Sequence, residues 1–592
     1  MTNDESQLAS GATATLPIMD HGNEDLTNAE ASRDPARETP RWIKPASIAA
    51  LAASLLIYVL RLDQVVGLVV DDAWYVLLAK ALAEGQGYSL INSPSPGILP
   101  LYPPGFPFLL SLFFRVHPNF PENVWLLKSV SIAAMMVVGI LCYRYFTRVR
   151  ELPASVALGI AVTTVVCPPL VFLATSSVMS DCVFTLWFVS VIVATEACKH
   201  AGKRAGNGAR GWQFAVLAAA FSSAAFLTRS IAVSLIAAAF LYLLKERLIR
   251  SALIFAAAVA LFSGPWMIYS RLHAPTHDQQ MEQGGNMVLP YTVQFWQKVA
   301  GDSSSGTETA AELPRRVWMN SIEFLGRDVC RILMAVVFES LRDPFKDAEK
   351  LLNEKREGHG EILLFSLFLS LFVVAGFFAV ARERVRFAEL AVPLSLAVIV
   401  LWPFETIRYV LPLAPFVIFY FLMGLREAQR LVQRALGKSR THWSAVQLAL
   451  VALIAINLFG NIRYIANLQF GSPLDKPQWI SKFEEAEKLF EQIRRQAPKT
   501  DTIVALNPAI ITLYTGHKTV SWDDPAKRWE LWKAISVRYM VWVSLYPQPV
   551  NAAETNYRVV YLSREGSGFR ILDLGPPETR IPWAGTPNAN AK

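Results

Sequence analysis

The chain has 592 residues, 53% of them hydrophobic and only 18% charged, whereas soluble domains run at about 45–50% apolar and about 25% charged. The apolar residues come in blocks of about 15–20 split by short basic stretches, which excludes a cytosolic enzyme and a fibrous protein and marks a polytopic membrane protein. The net charge of +8 belongs to that punctuation, not to a nucleic-acid surface: no long Lys/Arg run carries interleaved aromatics, so nucleic acid is not an expected partner.

Residues 1–44 are polar, rich in Asp, Glu, Ser and Thr, and lack the apolar stretch of a signal peptide. They are expected to form a disordered cytoplasmic tail. Eleven hydrophobic segments follow, at 46–66, 125–146, 153–174, 182–198, 212–228, 231–244, 251–270, 361–380, 387–402, 409–425 and 443–460. Every second connection is basic: Arg144, Arg148 and Arg150; Lys199, Lys203, Arg204 and Arg210; Lys245, Arg247 and Arg250; Arg382, Arg384 and Arg386; Arg426, Arg430, Arg434, Lys438 and Arg440. With Arg41 and Lys44 before the first segment, the positive-inside rule puts all of these on the cytoplasmic side. The two arms of 212–244 are short for a bilayer core of about 30 Å, so Arg229 at their tip is expected to dip below the outer surface. The five cysteines lie mostly in or beside hydrophobic segments without CxxC spacing and read as small buried residues.

Two outer connections are long, 67–124 and 271–360, the second long enough to fold on its own. Beyond 473 the pattern changes. Trp479, Phe483, Ala486, Phe490 and Ile493 mark an amphipathic helix, and β-rich runs at 502–506, 519–522, 539–544, 558–562 and 569–574 are interrupted by a helical stretch at 525–535. The resulting division is the tail 1–44, a transmembrane region 45–460, and a small extracytoplasmic α/β domain over 473–592.

The chemistry-bearing residues sit at the outer ends of the spans. Asp71 and Asp72 follow the first span, where carboxylates near hydrocarbon are costly; Asp71 reads either as an N-cap of a helix over 72–84 or as a catalytic group. Trp74, Leu77, Leu78, Ala81 and Leu82 share a face of that helix, which is expected to lie along the outer interface. Tyr102-Pro103-Pro104-Gly105 forms a rigid turn, either structural punctuation or a substrate wall. Asp181 opens the fourth span as an N-cap or a second carboxylate of the same cavity. Arg229 and Arg408 either snorkel or pair with a neighbour such as Glu405, or grip a lipid phosphate through two N–H donors each.

In their order and sidedness, Asp71-Asp72, the AKALAEGQG stretch at 79–87, the Pro-Pro-Gly turn, Asp181, Leu227-Thr228-Arg229, and Arg408-Tyr409 with Pro412 and Pro415 resemble the GT-C glycosyltransferases. The resemblance is to the branch of the dolichyl-phosphate-mannose protein mannosyltransferases and bacterial aminoarabinose transferases, and covers about 45–590 loosely. It implies a polytopic α-helical GT-C-like protein of about 11 transmembrane helices that moves a sugar from a polyprenyl-phosphate donor to a glycan, lipid or protein acceptor at the extracytoplasmic face. It places Asp71, with Asp72, and Asp181 in the catalytic set; Arg229 and Arg408, with Tyr102 and Tyr409, are the candidates for substrate binding, because cations around a departing lipid phosphate lower the barrier. Relatives carry an acid-Lys pair before the paired prolines, where this chain has Leu101-Tyr102, so a divalent metal stays open; His273 and His277 in the long outer loop read as surface residues. The alternatives are a secondary transporter or lipid flippase, which favours charges at mid-bilayer and repeated halves, and a non-catalytic envelope assembly protein.

Overall fold

The computed structural model describes residues 40–95, 99, 102–204, 211–276, 291–298, 306–334, 360–403, 406–437, 443–472, 476–522, 525–543, 552–563 and 568–576. The 1–39 tail, Leu101, Arg210, His277, Glu405, Lys438 and Arg440 lie outside the described residues.

The hydrophobic blocks form α1 (Ile43–Arg61), α4 (Val124–Arg148), α5 (Ala154–Val165), α6 (Pro168–Thr175), α7 (Asp181–Arg204), α8 (Gly211–Thr228), α9 (Val233–Lys245), α10 (Ile249–Leu272), α13 (Gly360–Glu383), α14 (Ala388–Leu401), α15 (Ala414–Ala435) and α16 (Ser444–Phe470). Shorter helices stand between them: α2 (Asp71–Ala83), α3 (Gly105–Val116), α11 (Leu313–Glu323) and α12 (Val329–Met334). Among the described residues, eight helices are long and apolar enough to cross a membrane, and nine if α5 and α6 form one bent span. The protein is therefore a multi-pass integral membrane protein. The α5–α6 bend of 49° falls at Cys167, where Pro168 and Pro169 begin a new helix; proline supplies no N–H to continue the preceding ladder. The expected segments 231–244 and 387–402 are helical but fall among the shorter apolar helices. The last span runs ten residues beyond its expected end at 460, to Phe470.

Helix contacts are made close by small residues: a Cβ on Gly376 of α13 or Gly424 of α15 would overlap the facing backbone at Tyr420 or Phe372. Such positions let helices approach where no hydrophobic difference between lipid and side chain drives association. All five cysteines are buried.

The basic ends of the helices gather at one end of the bundle through buried bonds. Arg150 pairs with Glu389 at 2.5 Å, and Lys199 with Glu246 at 3.0 Å. Glu389 also accepts the Tyr420 hydroxyl at 2.9 Å, and Glu196 accepts the amide of Phe387 at 2.7 Å. Because α7 runs from Asp181 to Lys199 and Arg204, and α15 from the Arg408 turn to Arg434, the acids and lone arginines singled out from the sequence lie at the opposite helix ends.

Residues 306–334 do not form a separate fold. Arg316 donates to the carbonyls of Phe295 and Gln297 at 2.6 and 2.8 Å, and Asn320 to those of Val400 and Trp402 at 2.9 Å each. The carbonyl of Leu325 accepts Ser366 and Ser370 of α13 at 3.0 and 2.6 Å. The segment is docked on the bundle from both sides: Asn320 meets carbonyls at the end of α14, where the helical ladder leaves acceptors unpaired, and serines of α13 reach its Leu325 carbonyl.

At the C-terminal end, α17 (Gln478–Gln496) is followed by β1 (Thr502–Ala505), α18 (Pro508–Thr515), β2 (Thr519–Ser521), α19 (Pro525–Ala534), β3 (Val537–Trp542), β4 (Arg558–Leu562) and β5 (Arg570–Asp573). The strands fall on the β-rich runs and form one sheet in the order β2-β1-β3-β5-β4, parallel across β2, β1 and β3 and antiparallel across β3, β5 and β4. Trp479, Phe483, Ala486, Phe490 and Ile493 form the buried stripe of α17.

Candidate active site at one end of the helix bundle

The turn before α2 sets the site. Gly67 has φ 103° and Val70 φ 69°; a β-branched residue in the left-handed region is strained by about 1–3 kcal/mol and persists only when its surroundings over-determine it. Immediately after it, Asp71 and Asp72 occupy the first turn of α2, where the helix dipole favours negative charge. The N-cap residue is Val70, without a side-chain cap, so Asp71 is not the N-cap its position allowed.

The two adjacent carboxylates part company. Asp72 is fully buried and accepts the amides of Gly67 at 2.8 Å and Ala73 at 3.0 Å. Burial pushes its acid up to about 6, against the lowering effect of the Gly67 amide, Lys128 and the Ala73 amide. Asp71 keeps about a third of its side chain exposed and accepts the Tyr102 hydroxyl at 3.0 Å and Arg408 Nη1 at 3.2 Å. Burial, then the neighbouring Asp71 charge, raises the Tyr102 phenol, so it stays protonated and donates.

Arg408 is a bridge. Its Nη2 lies 3.5 Å from Asp181 Oδ2, and the other Asp181 oxygen pairs with Arg229. Asp181 is fully buried, while Arg229 and Arg408 keep 11% and 27% of their side chains exposed. The guanidinium of Arg229 stacks over the Tyr409 ring at 4.8 Å. The seven singled-out residues thus divide: Asp71, Asp181, Arg229, Arg408, Tyr102 and Tyr409 form one cluster, and Asp72 faces the Gly67 turn. The helix α2 is enclosed by the protein, with all of 72–79 buried.

Several supporting residues carry no sequence signal of their own. Tyr75 packs edge-on against Tyr102 and Phe106, each at 5.2 Å, and accepts the Ser180 hydroxyl at 3.2 Å. Tyr75 stands next to the acids in sequence, but an aromatic on an apolar helix face reads as core. Thr406 donates to the buried Asp328, which ends a π-helical turn at Phe324–Asp328, and the Thr406 carbonyl accepts the amides of Tyr409 and Val410. Lys128 binds Asp63 at 2.8 Å with its side chain fully buried.

Among the described residues no three His, Cys, Asp or Glu side chains converge to hold a metal ion. Asp71 and Asp181 converge on the Arg408 guanidinium. His273 stacks on Tyr269 at 4.2 Å at the end of α10.

No protein-family profile matches the sequence, and no curated protein sequence matches it. Solved structures do match. The archaeal oligosaccharyltransferase AglB from Archaeoglobus fulgidus, in complex with an inhibitory peptide and a dolichol-phosphate, is 14% identical over 85% of this chain and 70% of its own, with a TM-score of 0.50. ArnT from Cupriavidus metallidurans, bound to undecaprenyl phosphate, is 12% identical over 89% of this chain and 97% of its own, with a TM-score of 0.51. These matches over most of the chain show that it has the fold of the GT-C glycosyltransferases.

Proposed function

We propose that the protein is an integral-membrane glycosyltransferase that moves a sugar from a polyprenyl-phosphate donor to an envelope or secreted acceptor at the extracytoplasmic face. The observation that carries this reading is the cluster itself: a partly exposed carboxylate, Asp71, beside two partly exposed guanidinium groups at one end of a membrane bundle. The AglB structure holds a dolichol-phosphate and the ArnT structure undecaprenyl phosphate, which supports a donor of that class here.

In this reading Asp71 is the catalytic carboxylate. It aligns the acceptor hydroxyl or amine and takes its proton as the nucleophile bonds to the anomeric carbon. The bond from that carbon to the phosphate oxygen breaks, and its electron pair leaves with the lipid phosphate. Arg408 and Arg229 neutralise that growing charge. Asp181 holds both arginines, Tyr102 and Tyr409 form the walls, and Asp72 keeps the turn that presents Asp71. Two further assignments belong to the proposal. The basic bundle end is cytoplasmic by the positive-inside rule, which puts the cluster and the 473–592 domain outside. The short helices α9 and α14 also cross, giving eleven spans and a membrane region of 45–460.

The test is transfer by the purified protein in lipid nanodiscs, supplied with radiolabelled polyprenyl-phosphate sugars and an envelope glycan, lipid or peptide fraction. Label must leave the lipid and appear on an acceptor. Movement of substrate across proteoliposomes with no transfer would replace this reading with transport.

A further inference from the structure

The C-terminal sheet and its helices hold both ends of the segment that carries Asp71. At the first end, Asn507, buried just before α18, donates Nδ2 to the Gly67 carbonyl at 2.6 Å. A Cβ on Gly67 would stand 2.5 Å from Ile510 Cγ1, so α18 seats against a position only glycine fills at φ 103°. The Gly67 amide in turn donates to Asp72, which also accepts the Ala73 amide. A chain of buried bonds thus runs from Asn507 through Gly67 to the residue beside Asp71, and α18 packs against α2.

The second end is tied at the sheet edge. The Thr519 amide donates to the Asn92 carbonyl at 2.8 Å, and Asn92 Nδ2 donates back to the Thr519 carbonyl at 3.1 Å. Lys518 Nζ adds a bond to the Ile91 carbonyl at 2.8 Å. Residues 91 and 92 are therefore fastened at β2, one of the two edge strands of the sheet. An acceptor-binding module or loose lid has no use for a buried amide clamped on the strained turn before α2 and a paired strand edge at 91–92, beyond its end.

We propose that the C-terminal α/β unit is a brace that sets the position of Asp71, with Asn507 as the positioning residue. The inference rests on Asp71 being the catalytic carboxylate. The brace transmits no chemistry of its own; it fixes the strained turn so that Asp71 stands within reach of Tyr102 and Arg408.

The experiment compares the full-length protein in nanodiscs with Asn507→Ala and Asn507→Asp, the second keeping the side-chain shape without the donor. Amide hydrogen exchange is read over 64–73, with β3 as the folding control, and transfer from a polyprenyl-phosphate sugar is measured in parallel. Both variants are expected to lose about tenfold in protection at Gly67 and Ala73 while β3 keeps its own, and to lose about tenfold in kcat with the donor KM within about twofold. Wild-type protection or wild-type kcat in both variants overturns the brace, and impairment of Asn507→Ala alone assigns the effect to packing and overturns the role of the hydrogen bond. Asp71→Asn is the second control. If it is inactive while Asn507→Ala is fully active, the brace fails and the transferase reading stands; if it is active, the catalytic reading fails and exchange alone decides whether the unit braces the turn.

Discussion

Arg408 reaches Asp71 across 337 residues of chain, its Nη1 standing 3.2 Å from Asp71 Oδ2. The same guanidinium spans to Asp181, so one planar cation fixes the separation of two carboxylates drawn from α2 and α7. A lysine at this position is a point charge on a flexible stem and cannot hold both acids at once. Arg408→Lys is expected to lower kcat/KM for the lipid-linked sugar by about a hundredfold, and Arg408→Gln by more. Steady-state transfer rates decide it; a lysine variant at wild-type rate would contradict the bridge.

Tyr102 contributes a single hydroxyl bond to the other oxygen of Asp71. Tyr102→Phe keeps the ring packed on Tyr75 and removes only that donor. Its kcat is expected to fall about tenfold with the donor KM held, the effect of one charge-assisted bond at a partly exposed group. Loss in KM alone would make Tyr102 a binding wall and nothing more.

The buried carboxylate of Asp72 is expected to give the proposed transfer an acid limb. Burial raises it to about 6 from the ordinary value near 4, so between about pH 4 and 6 the folded protein binds a proton that the unfolded chain releases. Stability contributed at this group therefore rises as pH falls through that window, while the protonated acid gives up acceptor strength toward Gly67 and Ala73. Transfer is expected to drop as pH falls through about 6, and Asp72→Asn to remove that limb by fixing the neutral form. A pH–rate profile unchanged by Asp72→Asn would place the limb elsewhere.

At the other end of the bundle, Arg150 and Glu389 form a pair with both side chains nearly inaccessible. Arg150→Met leaves Glu389 buried with the Tyr420 hydroxyl and the Arg386 amide, a loss of about 3–5 kcal/mol for a stranded buried charge. The melting temperature in detergent is expected to fall by several degrees and to recover in large part with Glu389→Gln added. Transfer at low temperature is expected to stay near wild type, because the pair is remote from Asp71.

Most of the helices and all five strands were legible because bilayer thickness and strand alternation impose strong periods on the sequence. The Asp71, Asp181, Arg229 and Arg408 cluster was legible for a related reason: charges at apolar helix ends stand out. Three things were not. Helix α3 was hidden behind Pro103-Pro104-Gly105, which reads as a turn but here leads into a helix. Asp71 and Asp72 are adjacent and chemically identical, and only the Gly67 turn sends one to a buried pair of amides and leaves the other open. Asn507, Asp328 and Thr406 act at long range, and neither composition nor spacing records which carbonyl or hydroxyl a folded chain will bring to them.

The central claim is that Asp71 carries the transfer chemistry, and single-turnover transfer by Asp71→Asn in nanodiscs tests it most directly. The carboxamide keeps size and packing but cannot take the acceptor proton. A rate lowered by about a thousandfold or more, with binding of the polyprenyl-phosphate sugar retained, is the result predicted. Transfer at the wild-type rate would contradict it.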